Sequence, residues 1–325
     1  MTILVSIQSA FEMWTIPPIF VERLRQRFPA HTFLHARSDD EAQTHYAEAE
    51  VVFAGQITRA QLSAATRLRW LHSPAAGVGG MLFPEMVRSP VVLTNSRGMS
   101  AGTIAEHVLA VTLALFRRLP HAFRSQAARQ WSQDAIGAEG NRLIAGARVL
   151  VVGLGAIGGA VAHRMTLLGA RVTGLRRRAA GETHGEWTVA PAARLHELLP
   201  AADVVVVAAP HTNETRGLIG GPELALMARD AILVNVSRGQ LIDESALIEA
   251  LRTRTVGGAA LDVFVDEPLP PDSPFWTLPN VLITPHTSGF RPDHWDAAIA
   301  LFAENLERFD AGQPLVNVVD KQAGY

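Results

Sequence analysis

Short, β-branched apolar runs alternate with helix-patterned stretches along nearly the whole chain, which is the signature of a parallel α/β sheet. In the first hundred residues "ILVSI", "EVVFAG", "LRWLHS" and "VVLTN" read as strands, and "PPIFVERLRQRF" and "TRAQLSAATR" as helices between them. A long helix over about residues 101–118 follows, then a polar stretch containing Trp131. A second series runs through "RVLVVG", "RVTGL", "DVVVVAAP", "AILVNVS", "GGAALDVF" and "NVLITPH". Residues 149–153, 204–208, 232–236 and 281–284 are almost continuously apolar, as strands covered on both faces must be. An amphipathic helix over about 292–311 lies beyond this second sheet and is expected to return to the first.

Composition narrows the picture. A chain of 325 residues with 48% hydrophobic content fits about two domains at the usual ~100–200 residues each. A formal charge of −2 leaves no global field for nucleic acid or anionic lipid. The absence of cysteine excludes disulfides, thiolate catalysis and cysteine-based metal sites, and it suits a reducing cytoplasm. "MTILVSIQSAFEMW" has no positive region before its apolar run, so it reads as a strand rather than a signal peptide. The apolar segment "TIAEHVLAVTLALF" is interrupted by Glu106 and His107 and is too short to span a bilayer, so a soluble protein is expected. None of the 12 histidines has H-E-x-x-H or comparable spacing, so no metal site is expected.

The segment "VLVVGLGAIGGAVAHRMTLLGARVTGL" places Gly153, Gly155 and Gly158 after an apolar strand and at the start of a helix. A lone G-x-G-x-x-G is weak, but this βαβ setting points to dinucleotide binding. Gly153 allows the tight turn, Gly155 lets backbone approach a pyrophosphate, and Gly158 lets helix and strand pack closely. An acid that grips the adenosine ribose of NAD should end the second strand; Arg176, Arg177 and Arg178 stand there instead. A guanidinium offers forked donors to a 2′-phosphate, so the run favours NADP(H) and leaves NAD(H) possible.

Three further segments carry chemistry. "NVSRGQLIDESAL", "LDVFVDEPLP" and "LITPHTSG" each put a polar residue just past an apolar strand, on the side where open α/β sheets bind ligands. Arg238, Glu267 and His286 each have an ordinary structural explanation when taken alone. Together they make an acid–base centre with a carboxylate anchor.

These motifs, with "GVGG", "AEHVLAVTLALFRRLP", "SPFWTLPNVLITPHTSG" and "GQPLVNVVD", resemble the D-isomer-specific 2-hydroxyacid dehydrogenases over essentially the whole chain. The resemblance implies two doubly wound domains, a Rossmann-type cofactor domain inserted in a flavodoxin-like substrate domain. Their expected bounds are 100–289 for the cofactor domain, and 1–99 with 290–325 for the substrate domain. It implies that Arg238 binds and polarises a 2-oxo acid, that His286 exchanges the proton, and that Glu267 holds the imidazole and favours its charged form. It places Ala156, Ile157, Pro210, Thr215, Val236, Ser237 and Asp262 at the cofactor, Asp262 on the nicotinamide carboxamide. Backbone amides of Ala76, Gly77 and Val78 would hold the substrate carboxylate. The implied protein is a glyoxylate/hydroxypyruvate-type reductase forming a homodimer, with "FRSQAARQWSQDAIG" as the arm. Gly79 stands where many relatives carry aspartate, which leaves the substrate open, and Arg291 is a candidate for a second anionic group.

Two other readings compete. "GMSAG" matches the G-x-S-x-G nucleophile elbow, with Asp262 and His286 following Ser100 in α/β-hydrolase order. Five residues separate Ser100 from its strand, however, and Thr103 with Glu106 fits a helix capping box to which Ser100 could contribute. A dinucleotide sensor that lost its chemistry is the other alternative, since fold alone does not imply activity.

Overall fold

Alternate residues of strand β1 (Thr2–Ser6) face opposite ways, Leu4 into one apolar cluster and Ile3 and Val5 into another. That two-sided burial is why the strand reads as an unbroken apolar run. The chain continues through α1 (Pro18–Arg27), β2 (Thr32–His35), α2 (Asp39–His45), β3 (Val51–Ala54), α3 (Arg59–Ala64), β4 (Trp70–Ser73), α4 (Pro84–Arg88) and β5 (Val92–Asn95). The five strands form one parallel sheet in the order β2-β1-β3-β4-β5, which is flavodoxin-like winding. β2 was not anticipated by the pattern; only Phe33 of its four residues is fully buried.

The computed structural model describes residues 1–177, 183–184 and 187–324. Its chain divides into two units, Met1–Met99 with Arg291–Tyr325, and Ser100–Phe290. The second unit opens with α5 (Ala101–Phe116), α6 (Leu119–Ala127) and α7 (Gln133–Ala138). The long helix therefore stops two residues before the expected end, because Arg118 adopts left-handed backbone (φ 57°). The polar stretch around Trp131 holds two short helices.

From there the chain runs through β6 (Arg148–Val152), α8 (Ala156–Leu167), β7 (Arg171–Arg176), β8 (Thr183–His184), β9 (Trp187–Pro191), α9 (Leu195–Leu198), β10 (Val204–Val207), α10 (Gly221–Leu226), β11 (Ile232–Asn235), α11 (Glu244–Arg252), β12 (Gly258–Leu261) and β13 (Val281–Ile283). The sheet order is β13-β12-β11-β10-β6-β7-β9-β8, parallel except for the short edge pair β8–β9. From β6 the sheet winds outward through β7 and β9, then restarts through β10 on the other side, which is Rossmann winding with its switch point between β6 and β10. Val205 and Val207 of β10 enter one cluster with Leu150 and Val152 of β6, while Val204 and Val206 enter the opposite one with Val149 and Val151.

The last helix, α12 (His294–Asp310), belongs to the first unit. Phe302 stacks on Phe53 at 4.4 Å between ring centroids and on Trp70 at 5.2 Å, so the C-terminal helix completes one face of the first sheet. Both sheets are therefore covered on both faces, as the apolar runs require.

Candidate active site

The switch point in the second sheet is where the glycine loop lies. Gly153 has φ 100°, a region L side chains rarely adopt, and a Cβ there would strike the Ala209 backbone. A Cβ on Gly158 would strike the Gly153 carbonyl, so the helix could not approach the strand. A Cβ on Gly155, by contrast, would meet no atom within 4 Å. Glycine at 153 and 158 is thus explained by packing inside the chain, whereas at 155 it keeps an open approach to the backbone. Gly155 and Ala156 are exposed, Ile157 is half-buried, and α8 has neither a side-chain cap nor an acid in its first turn. Its first amides remain available to an anion, with the helix dipole behind them. These residues fit a dinucleotide pyrophosphate.

Arg176 is the last residue of β7, exposed and without a partner among the described residues. Arg177 lies 3.6 Å from Glu214. Arg178 lies outside the described residues. Across the sheet, the Thr215 hydroxyl donates to the Pro210 carbonyl at 2.6 Å and accepts from the Thr212 amide at 2.8 Å, which locks the turn after β10. Ser237 Oγ donates to the Ala209 carbonyl, stitching the end of β11 to the same turn, and Val236 is buried beneath it.

Arg238 follows directly. Its Nη1 donates to the Ser237 carbonyl at 2.6 Å, and the guanidinium has no ion-pair partner among the described residues. Its charge, after burial and Arg216, helps hold the His211 imidazole below its usual range. Gly239 is explained by close approach, since a Cβ there would strike the backbone at Phe264–Val265. The loop bearing Arg238 therefore packs on the loop that leads to Glu267.

Glu267 is held at both oxygens. Oε1 accepts the Phe264 amide at 2.9 Å, and Oε2 lies 2.7 Å from His286 Nδ1. The imidazole's Nε2 has no partner among the described residues, and the side chain is 48% exposed. His286 itself has left-handed backbone, φ 54°. That turn is fixed by Asp262, which is 1% exposed. Asp262 Oδ1 accepts the Thr284 hydroxyl at 2.6 Å and the Thr287 amide at 2.9 Å, while Oδ2 accepts the Ser288 amide at 3.1 Å. Its carbonyl accepts the His286 amide at 2.9 Å. Of the three expected chemical residues, Glu267 and His286 meet directly, and Arg238 makes no bond to either.

In the first unit, "SPAAGVGG" follows β4. Ala76 and Gly77 are exposed and Val78 is buried, and no acceptor among the described residues takes their amides. The Asn95 amide group donates to the Ala76 carbonyl at 2.6 Å and fixes the loop.

The sequence profile described as "D-isomer specific 2-hydroxyacid dehydrogenase, NAD binding domain" matches residues 109–288. The chain belongs to the D-isomer-specific 2-hydroxyacid dehydrogenase family. A glyoxylate/hydroxypyruvate reductase B of Serratia proteamaculans is 33% identical over 83% of this chain and 85% of that protein. A D-3-phosphoglycerate dehydrogenase of Methanocaldococcus jannaschii is also 33% identical, over 84% of this chain but only 52% of its own length. The crystal structure of a D-isomer-specific 2-hydroxyacid dehydrogenase from Xanthobacter autotrophicus Py2, in complex with NADPH and MES, superposes with a TM-score of 0.85. It is 30% identical and the match covers 100% of this chain and 99% of that one. The chain is thus an NAD(P)-dependent oxidoreductase with the two-domain dehydrogenase fold.

For this dehydrogenase the hydrolase alternative does not hold. Ser100 makes no side-chain bond to a histidine among the described residues, His286 pairs with Glu267 rather than Asp262, and Asp262 is occupied by its own turn. The expected capping box is absent as well: α5 begins at Ala101 with no side-chain cap, Thr103 lies inside the helix, and Glu106 faces Arg164 at 3.6 Å. Arg291 is also engaged, with two nitrogens on Asp293 and Nη1 on the Met99 carbonyl at 2.6 Å. A free guanidinium for a second anion is not found there. Glu244 went unnoticed in the sequence. Its Oε1 accepts the Val265 amide at 2.7 Å, and burial, with Asp266 and Glu267 nearby, raises its pKa. The signal was its place in "IDESAL", in the first turn of α11 after the capping Asp243.

Proposed function

We propose that the protein reduces a small 2-oxo acid of the glyoxylate or hydroxypyruvate type to the D-2-hydroxy acid, using NADPH in preference to NADH. The observation that carries this reading is the pair formed by Glu267 and His286, whose Nδ1 faces a fixed carboxylate at 2.7 Å and whose Nε2 is left for a substrate. Bound reduced dinucleotide would supply hydride to the carbonyl carbon. Nε2 of His286 then donates a proton to the carbonyl oxygen, while Glu267 holds Nδ1 at 2.7 Å and fixes the orientation of the ring. Arg238, free of ion pairs, binds the carboxylate and polarises the keto oxygen with its forked donors. The amides of Ala76, Gly77 and Val78 are suited to a substrate carboxylate. Asp262 serves first as the anchor of the His286 turn, and its place beside the nicotinamide carboxamide is part of the proposal.

Gly153, Gly155 and Gly158, with Ala156 and Ile157, would take the pyrophosphate, and Pro210, Thr215, Val236 and Ser237 would line the nicotinamide side. Arg176 and Arg177, with Arg178, favour a 2′-phosphate over a bare ribose. The relative crystallised with NADPH supports that preference. The first unit then acts as substrate domain and the second as cofactor domain. A cytoplasmic homodimer is part of the same reading. Phe123 at 60% exposure and Trp131 at 92% leave apolar surface on the segment proposed as its arm. No described helix is long and apolar enough to cross a membrane.

The test is a steady-state screen of 2-oxo acids with NADPH and NADH in parallel. The reading expects turnover of glyoxylate or hydroxypyruvate and a higher kcat/KM with NADPH. No oxidation of either cofactor with any 2-oxo acid would overturn it.

A further inference from the structure

We propose that His107 is a positioning residue for proton transfer, acting on His286 through Thr284 and Asp262. The inference rests on the reading of His286 as the acid–base group. His107 lies on α5, 177 positions from Thr284 in the chain, yet its Nε2 is 3.3 Å from the Thr284 hydroxyl. That hydroxyl is 2.6 Å from Asp262 Oδ1. A carboxylate only accepts, so the hydroxyl hydrogen is spent on Asp262, and the contact with His107 requires the hydroxyl to accept a proton carried on Nε2. The chain of donors is therefore directional: His107 Nε2–H to Thr284, and Thr284 O–H to Asp262.

The remaining capacity of Asp262 holds the turn. Its oxygens take the amides of Thr287 and Ser288, and its carbonyl takes the amide of His286. His107 thus fixes the hydroxyl rotamer that completes the shell around Asp262, and Asp262 sets the left-handed turn that aims the His286 imidazole. The base of the relay is rigid, because the neighbouring Val108 is fully buried in one cluster with Val234 and Ala260 of the sheet. Burial also pushes the His107 imidazole below its usual range, against the charge of Asp262, so the neutral ring is the form in place. A catalytic group held by such an outer shell loses rate when the shell loosens, because small misplacements weaken proton transfer steeply.

The experiment uses the full chain with glyoxylate and NADPH, and compares His107→Phe, His107→Gln, Thr284→Val and the His107→Phe/Thr284→Val pair. His107→Phe and Thr284→Val are each expected to lower kcat roughly tenfold while the Kd for NADPH stays within about twofold. The double variant should be no slower than the worse single, since both break one relay. His107→Gln, whose Nε2–H can reach the same hydroxyl, should keep most of the rate. Unchanged kcat in His107→Phe, multiplied losses in the double variant, or a glutamine as slow as the phenylalanine would overturn the relay. If His107→Phe also loses NADPH binding, the glutamine and valine variants decide, and a valine variant with wild-type kcat would refute it. Failure of the parent reading looks different, because the wild-type protein would then reduce no 2-oxo acid at all.

Discussion

Two histidines, one in each unit, have opposite surroundings. His72 sits on β4 with no exposed surface, its Nδ1 2.7 Å from the Thr94 hydroxyl, packed among Phe53, Trp70 and Phe302. That hydroxyl accepts from Trp70 Nε1 at 2.8 Å, and no carboxylate among the described residues bonds the ring. Burial pushes the His72 pKa down to about 3, so the ring is a neutral part of the core. His286 is half-exposed, paired to a carboxylate that is itself pinned, and left with an open Nε2. Both rings bond through Nδ1. The facing group and the access of water make one a packing element and leave the other suited to proton exchange.

The contrast can be broken most severely at His286. His286→Gln is expected to cut kcat by roughly 10²–10⁴-fold, the usual contribution of a placed acid–base group, with little change in NADPH affinity. Equal losses in turnover and cofactor binding would make His286 a structural residue like His72. The measurements are steady-state kinetics and fluorescence titration of NADPH.

Next in size is the response of the first unit to acid. The folded state keeps His72 neutral to about pH 3, whereas in the unfolded chain it protonates near 6.5. Below 6.5 the unfolded state holds one more proton, so stability is full above that value and falls by about 1.4 kcal/mol per pH unit towards pH 3. His72→Asn keeps a polar partner for the Thr94 hydroxyl and removes the titration. Urea unfolding at several pH values should give a shallower acid slope in that variant, and an equal slope would assign the acid loss to other groups.

A smaller effect is expected at the C-terminal end of the first unit. Lys321 Nζ donates to the carbonyls of Met86 at 3.0 Å, Ser89 at 2.6 Å and Val91 at 3.0 Å, and burial lowers its pKa. Lys321→Met leaves those carbonyls without their donor and should cost about 1–3 kcal/mol in urea unfolding without altering kcat. A loss of kcat at unchanged stability would contradict that division. Smallest is Arg176→Asp, expected to shift the NADPH to NADH ratio of kcat/KM towards NADH by about tenfold, the equivalent of one charge-assisted contact of ~1.4 kcal/mol. An unchanged ratio would remove Arg176 from cofactor choice.

How far the fold could be read follows from which residues carry the burial. The valines of β10 are covered on both faces and announce themselves, whereas β2 (Thr32–His35) lies at a sheet edge with one fully buried side chain, too little for an apolar signal. β9 combines the half-buried Trp187 with a terminal Pro191, and neither alternation nor an apolar run results. In the site, Glu267 and His286 were legible because each closes a motif at a strand end. His107 was not, since its contact with Thr284 exists only after α5 packs on the sheet. Asp262 is a candidate from its motif, but the bonds to its own turn depend on backbone geometry that spacing cannot convey. The G-x-S-x-G match is weak in the sequence itself, because five residues separate Ser100 from its strand, and among the described residues no histidine bonds the serine.

The most direct test of the account is a crystal structure of the full chain with NADP⁺ and oxamate, an unreactive mimic of a small 2-oxo acid. The account expects Arg238 on the oxamate carboxylate and His286 Nε2 within hydrogen-bonding distance of its carbonyl oxygen, with Glu267 still on Nδ1. An oxamate bound elsewhere, or a His286 ring turned away from that oxygen, would contradict it.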